Sequence, residues 1–439
     1  MNDLDLLRSG GVVGGGGAGF PLFKKLSAPA EILLINGAEC EPLLKSDQYL
    51  MQRYPKELLQ AASRLASIIG AKEAVICLKD HYKSQIRALT DALPSLSLAP
   101  AVRLHLLPTV YPIGDEQALV HSATGRTVPP GSLPGSVGCT VVSVSTALNA
   151  RRALEGKPVT RRFITVAGEV KRPGVYRVPI GMPVRLLLEQ AGGPTVSDYR
   201  LILGGPMMGS LTAPDTETVV TKTLGGVLVL PADHLLVRHA ELPPEQMRIR
   251  AMSVCIQCRT CTDLCPRHLL GHPIYPHLTM RSFAAGNRLE KSAMLCMECG
   301  ICELYACPMG LNPRRIQQKQ KAELRQAGEK PAFQLKDPPA LAEYHQAPSE
   351  RVLAKIHASR YDIPVPENCI DVTAPFVCIP LKQHIGVPAV PCVQAGDSVQ
   401  QGDTIGRMAE GALGADVHAS ICGTVDKIEN GFIVIRARS

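Results

Sequence analysis

Eight of the fifteen cysteines fall in two runs whose spacing can hold iron–sulfur clusters. The first is Cys255-x2-Cys258-x2-Cys261-x3-Cys265-Pro266, and the second is Cys296-x2-Cys299-x2-Cys302-x4-Cys307-Pro308. Three thiolates spaced by two residues wrap a tight loop around one face of a cubane. The fourth, followed by proline, starts the chain toward a second cluster. In this arrangement Cys255, Cys258, Cys261 and Cys307 hold one [4Fe–4S] cluster, and Cys296, Cys299, Cys302 and Cys265 hold the other. A pair of structural zinc sites is the competing reading. Such sites pair two x2 knuckles and lack both the third cysteine at x2 and the Cys-Pro ending. The second run carries one extra residue before its last cysteine, the gap being filled by Glu303-Leu304-Tyr305-Ala306. That insertion is expected to bulge the loop without abolishing ligation. The other seven cysteines, Cys40, Cys77, Cys139, Cys369, Cys378, Cys392 and Cys422, stand singly; most read as small buried hydrophobes, and none is assigned a role.

Residues 10–21 form a second candidate centre, Gly-Gly-Val-Val-Gly-Gly-Gly-Gly-Ala-Gly-Phe-Pro. Gly14, Gly16 and Gly19 match G-x-G-x-x-G, with Glu39 about twenty residues on, which is the pattern of a dinucleotide fingerprint. A run this rich in glycine matches many patterns, and a flexible turn is the plainer reading. The sequel gives it weight. Glu31-Ile-Leu-Leu-Ile-Asn36 reads as a buried strand ending in Asn36-Gly37-Ala38-Glu39-Cys40-Glu41-Pro42, a polar cluster where an α/β sheet places its ligands. Glycine N–H groups can cradle a phosphate closely because no Cβ intrudes.

The elements that must position these centres exceed one domain. A chain of 439 residues divides into roughly three or four units of ordinary size. Its 38 glycines and 36 prolines imply many turns, while seven Phe, ten Tyr and no Trp leave few aromatics. The formal charge of +8 is modest, and the densest basic stretch, Arg314 to Lys321, reads as a solvated helix face. No basic patch is interleaved with aromatics, so nucleic acid is not an expected partner. The N-terminus lacks a basic and then apolar leader, and no window of about 18 uncharged apolar residues exists. The best such stretch, Leu224 to Leu236, is interrupted by Pro231 and Asp233. A soluble or peripheral protein without a membrane span is expected, with its cysteines serving metal ligation in a reducing compartment.

Gly14 to Pro21, Lys25 and Asn36-x2-Glu39-x-Glu41-Pro42 resemble the FMN-binding subunit of respiratory NADH dehydrogenase and the related RnfC subunit of ion-translocating oxidoreductases. Tyr111-Pro-Ile-Gly114-Asp115-Glu116 resembles the Gly-Glu-Glu segment of that family, and Thr140 to Thr146 its Asn-containing strand end. The resemblance implies an FMN site built from Gly14, Gly16, Gly17, Gly19, Lys25, Asn36, Glu39, Glu41, Gly114, Asp115, Glu116 and Ser143, with NADH as donor. Three positions depart from the dehydrogenase: Gly15 stands in place of Arg, Ala38 of Asp and Ser143 of Asn. The expected site is an altered one, and few aromatics beyond Phe20 are at hand to sandwich a nicotinamide.

Residues 163–193 read as short strands, a Pro-Gly turn and one helix, and resemble the SLBB (soluble-ligand-binding β-grasp) module, taken here as a structural spacer. Leu201-Ile-Leu-Gly-Gly-Pro-Met-Met-Gly209 adds to the RnfC likeness. The tail, with Ala395-Gly-Asp-Ser-Val-Gln-Gln-Gly-Asp-Thr-Ile-Gly406, resembles the barrel-sandwich hybrid of biotinyl and lipoyl carriers. No lysine lies between Lys382 and Lys427, so a swinging arm is not expected. The expected architecture is multidomain α/β and α+β. It runs from a Rossmann-like flavin domain (1–160) through an SLBB β-grasp (161–215) to a ferredoxin-like unit for two [4Fe–4S] clusters (245–325). A linker (330–370) and an all-β barrel-sandwich hybrid (371–439) complete it.

This order resembles the PduS family of cobalamin reductases from propanediol-utilization microcompartments. The resemblance implies an enzyme that passes electrons from NADH through FMN and the clusters to cob(III)alamin and cob(II)alamin. The cob(I)alamin product would supply a corrinoid adenosyltransferase, in a cytoplasmic protein housed within a microcompartment and neighbouring its shell proteins. No Asp-x-His-x-x-Gly run is present, so contact with the corrinoid is expected to be transient. His268, His272 and His277 read as satisfied surface or loop histidines, not axial ligands. The alternative is a non-catalytic electron-relay subunit of an Rnf-like complex. Two complete four-cysteine sets lead to a first expected outcome. The anaerobically reconstituted chain should carry about eight iron atoms and about eight acid-labile sulfides. Zinc without sulfide would exclude the cluster reading.

Overall fold

The computed structural model describes residues 2–286, 288–330 and 332–438. Met1, Asn287, Pro331 and Ser439, which fall within the expected modules and linker, lie outside the described residues. The N-terminal part is a parallel sheet in the order Ala101–Leu107, Glu73–Lys79, Ile32–Asn36, Cys139–Ser143. Helices cover both faces, which is why the inner strands Ile32–Asn36 and Glu73–Lys79 are near-continuous apolar runs, while the edge strand Ala101–Leu107 alternates. Leu33, Leu34 and Ile35 are all fully buried, each worth about 1.5–3 kcal/mol of transfer free energy. The helix Pro55–Ile68 begins with proline in its first turn and buries Leu58, Leu59, Ala62, Leu65 and Ala66 on one stripe.

The chain fills one side of Ile32–Asn36 first and then crosses to the other. The strand order therefore reverses between Ile32–Asn36 and Cys139–Ser143, whose last residues, Asn36 and Ser143, are register partners. The carboxyl ends of strands at such a switch point are where an open α/β sheet leaves a crevice.

A second, mixed sheet has the order Ile370–Asp371, Gly174–Pro179, Arg161–Gly168, Gly226–Pro231, Tyr199–Leu203, Ser210–Thr212. Its central strand Gly226–Pro231 runs parallel to Arg161–Gly168 and antiparallel to Tyr199–Leu203. The stretch 330–370 is partly ordered by pairing: Ala347–Pro348 joins Val110–Tyr111, and Ile370–Asp371 forms the edge of the mixed sheet. The C-terminal part is all β, with a four-stranded sheet centred on Phe432–Ala437 and Gly423–Glu429 and a three-stranded sheet centred on Thr404–Arg407. One apolar core runs without a break from Leu7 and Leu33 through Val166 and Val229 to Val417 and Ile435. The terminal barrel is thus packed onto the other two modules.

Between them the cysteine-rich segment is helical. Among the described residues no strand occurs between Pro231 and Ala347. The helices Pro244–Val254, Pro276–Ala284 and Pro313–Gln326 meet around Met247, Ala251, Met280, Phe283, Leu311 and Ile316. No helix among the described residues is long and apolar enough to cross a membrane.

Candidate functional site

At the switch point lies a cleft of about 770 Å³, within the size range of cofactor sites. Gly16, Gly17, Asn36, Glu39, Glu41, Gly114, Asp115, Glu116 and Ser143, nine of the residues singled out from the sequence, line it. Gly14, Gly19 and Lys25 do not. Gly14 donates its N–H to the Phe20 carbonyl at 2.9 Å and closes the neck of the loop. Gly19, at φ +71°, backs onto Gln383 and His384 of the barrel. Lys25 reaches the cleft edge by pairing with Glu116 at 2.6 Å.

Strand ends and helix starts converge on this cleft. Asn36 Nδ2 donates to the Gly114 carbonyl at 2.8 Å, fixing the loop that carries Asp115. Asp115 caps the helix Glu116–Thr124, accepting from the N–H groups of Gln117 and Ala118. Ser143 caps the helix Val144–Leu154 in the same way, and its hydroxyl meets Thr146 Oγ1 at 2.8 Å. Thr146 Oγ1 in turn accepts from Gly15 N at 2.9 Å, which ties the glycine loop to a helix N-terminus. The loop precedes the first strand of the sheet, so it is not the strand-to-helix turn of a dinucleotide fingerprint. A Cβ at Gly16 or Gly17 would meet no protein atom within 4 Å, so both backbones stand open to the cleft.

Several contributors escaped the sequence reading. Arg162, from the mixed sheet, is buried with Nη2 donating to the Gly15 carbonyl at 2.6 Å, Nη1 to Ser145 Oγ and Nε to the Leu224 carbonyl. Its guanidinium occupies the space a side chain at Gly15 would need. Glu39 accepts the N–H groups of Asp47 (2.7 Å) and Gln48 (3.0 Å) at the start of the helix Ser46–Arg53. Burial, and after it the nearby Asp47 charge, raises Glu39 to about 7. Glu41 accepts from Met207 N at 2.9 Å, and a side chain at Gly205 would overlap its carboxylate. Burial raises Glu41 to about 7 as well. Nothing local in the sequence signals Arg162, and although Gly205 lies in the RnfC-like segment 201–209, its role against Glu41 crosses a module boundary.

The eight cysteines separate into the two expected sets. Cys255, Cys258, Cys261 and Cys307 line one cavity, and Cys265, Cys296, Cys299 and Cys302 line another. Both loops use the same backbone: the residues flanking the middle cysteine take positive φ, Gln257 and Arg259 (56° and 64°) in one, Glu298 and Gly300 (66° and 83°) in the other. The extra residue of the second run is absorbed as a π-helical turn, Ile301–Tyr305, closed by Ala306 N donating to the Ile301 carbonyl at 2.8 Å. Burial, and after it Cys307, pushes Cys261 up to about 12, while burial pushes Cys296 up to about 12 with Cys265 adding to it. Ligation needs thiolates, so loading releases protons. Among the described residues no three His, Cys, Asp or Glu side chains converge to hold a single metal ion.

The basic stretch Arg314 to Lys321 is not the solvated helix face expected from sequence. Lys321 donates to the Cys296 carbonyl at 2.6 Å and to Glu298, and Arg315 donates to the carbonyls of His239 and Leu242. Lys321 thus serves a carbonyl of the second thiol loop, and Arg315 serves two carbonyls at the end of the segment 235–242. His272 is buried, with Nε2 on the Val128 carbonyl at 3.0 Å, and His277 Nδ1 meets Thr262 Oγ1 at 2.7 Å.

The cleft and the buried thiol set share a wall. Met297 lines both, and Tyr111 Oη donates to the Cys299 carbonyl at 2.7 Å. Arg267, two residues past Cys265, pairs with Asp115 at 2.8 Å, with both side chains largely buried. The other thiol set faces outward, with Cys258 exposed.

Four family models match in chain order. They are the Nuo51 FMN-binding domain at residues 7–152 and the SLBB domain at 163–210, then the 4Fe-4S dicluster domain at 254–312 and the RnfC barrel sandwich hybrid domain at 370–437. The chain is 44% identical to cobalamin reductase PduS of Citrobacter freundii over 436 residues, covering 98% of this chain and 95% of that one. With the Salmonella typhimurium protein of the same name the identity is 45% over the same shares. A component of the ion-translocating oxidoreductase complex of Pectobacterium carotovorum is 34% identical, over 65% of this chain and 36% of its own. Among solved structures, an NAD+-reducing [NiFe]-hydrogenase in the H2-reduced state shares the fold, with TM-score 0.51 and 22% identity over 75% of this chain and 63% of that one.

Two outcomes follow from this geometry. Cys307→Ser should abolish the cluster signal of the Cys255 set and spare that of the Cys296 set; selective loss of the other would overturn the pairing. Glu41 binds its proton more tightly in the folded chain, near 7, than at its ordinary 4.5. Its stabilising share is therefore complete below about pH 4.5 and is lost as pH rises through about 7. The melting temperature should fall from pH 5 to pH 8, and fall less in Glu41→Gln; equal slopes would show that Glu41 does not titrate there.

Proposed function

This chain belongs to the PduS family of cobalamin reductases, and we propose from that premise that it reduces cob(III)alamin and cob(II)alamin with electrons from NADH. FMN and two [4Fe–4S] clusters are the carriers in this reading. Cob(I)alamin is the product handed to a corrinoid adenosyltransferase in a propanediol-degrading microcompartment. The observation that carries the proposal is the wall shared by the cleft and the buried thiol set, through Met297 and the Tyr111 bond to Cys299.

FMN, when bound, takes a hydride's two electrons and releases them singly, and iron–sulfur clusters carry one electron at a time. The residues present fit both groups. Open backbone at Gly16 and Gly17, the Ser143-capped helix start and the buried Arg162 suit the phosphate end of a flavin nucleotide. Glu41, near neutrality, can hold or release a proton at the cleft floor. Around the buried thiol set, Arg267 Nη1, Arg314 Nε and Gln317 Nε2 are buried donors without a partner, which suits an anionic sulfur-rich group. Met207 is buried in the same apolar cluster as Cys299, with Met297 packed against it, so apolar side chains line the shared wall.

An electron relay within an Rnf-like complex is the second reading, supported by the likeness to the ion-translocating oxidoreductase component over 65% of this chain. Anaerobic mixing separates the two. NADH should bleach the flavin of the isolated protein, and cobalamin should then be reduced. With Cys258→Ala and Cys299→Ala combined, bleaching should persist while cobalamin reduction slows at least tenfold. Full-rate reduction would take the clusters off the path, and a flavin that NADH never bleaches would favour the relay.

A further inference from the structure

The three partnerless donors around the buried thiol set are not alike in what else they touch. Gln317 is fully buried on the helix Pro313–Gln326, and its Oε1 accepts from Thr279 Oγ1 at 3.3 Å. That contact leaves Nε2 as the free end at the cavity. Arg267 spends Nη2 on Asp115, a cleft residue, and leaves Nη1 without an acceptor. Arg314 spends Nη1 on the carbonyl of Met207, whose own N–H binds Glu41 of the cleft, and leaves Nε without an acceptor. Each arginine therefore has one nitrogen on the cleft wall and another idle beside the thiols. Among the described residues, no partnerless buried donor lines the cavity of the outward-facing thiol set.

A buried donor without an acceptor is costly, and three around one cavity make sense only if an acceptor comes with the bound group. We propose that Arg267, Arg314 and Gln317 are positioning residues that donate N–H hydrogen bonds to the sulfurs of the buried [4Fe–4S] cluster and set its reduction potential. The inference rests on the reading that this cavity holds such a cluster. Reduction adds one electron and no proton, and no bond is made or broken. The reduced cluster is the more negative, so donors and positive charge favour it and raise the potential. Asp115 works in the opposite sense, because its carboxylate offsets the charge of Arg267.

The sign difference gives the test. Dithionite titrations of the full-length holoprotein, followed by electron paramagnetic resonance, yield the midpoint potential of each cluster separately and need no NADH or cobalamin. Gln317→Leu and Arg314→Met should each make the buried cluster harder to reduce. A tenfold change in its reduced-to-oxidised ratio at fixed potential, about 59 mV for one electron, is expected. Asp115→Asn should shift it the other way, and the outward-facing cluster should keep its potential in all three. If Gln317→Leu loses the buried cluster outright, Arg314→Met and Asp115→Asn still decide by sign. Unchanged potentials, or shifts of the same sign in Asp115→Asn and Arg314→Met, would overturn the proposal. Absence of iron and sulfide from the wild-type cavity would instead overturn the cluster reading beneath it.

Discussion

The buried ion pair between Arg267 and Asp115 joins the two halves of the redox apparatus. Asp115 caps the helix Glu116–Thr124 and lines the cleft, while Arg267 follows the Cys265-Pro266 step that carries the fourth thiol of the buried set. Removing one partner would leave the other charge largely buried and unpaired, at about 3–5 kcal/mol. The pair thus fixes a cleft wall and a thiol ligand with one contact. Tyr111 and Met297 add a neutral hydrogen bond and an apolar contact across the same wall.

Cations recur wherever the structure gathers groups that will carry negative charge. Arg162 stands under the glycine loop, Arg267 and Arg314 stand beside the buried thiols, and Lys321 holds the Cys296 carbonyl. Lys222 is the odd one. It donates to the carbonyls of Gly11 and Asp416 at 2.8 and 2.9 Å, and burial lowers it to about 7. It joins the base of the glycine loop to the terminal barrel, so the barrel braces the loop. A module that resembles the mobile carriers is here part of the scaffold.

The two thiol loops show how an unequal spacing can give an equal geometry. Each needs left-handed backbone on both sides of its middle cysteine, and three of those four positions are non-glycine, at about 1–3 kcal/mol each. The extra residue before Cys307 lies downstream of this strained core. A π-turn that starts at Ile301 and carries Cys302 takes it up there.

The local content of this protein was legible in its chain. The x2 spacings specify thiol loops because three ligands so close in sequence can face one cube only by a tight wrap. The apolar run 33–35 specifies a buried parallel strand because only a sheet covered on both faces removes every one of its side chains from water. Tertiary structure alone decided the rest. Arg162 enters the cleft because a strand of the mixed sheet docks beside the glycine loop, and no spacing rule connects residue 162 to residue 15. The charges of 314 to 321 look like a solvated helix face in sequence. They prove to be donors for the carbonyls of Met207, His239, Leu242 and Cys296 because those segments pack against this helix. Periodicity and ligand spacing report what a segment does with its own neighbours. Which buried charge meets which buried acceptor depends on how separately specified units pack, and that is settled by the surface each must remove from water.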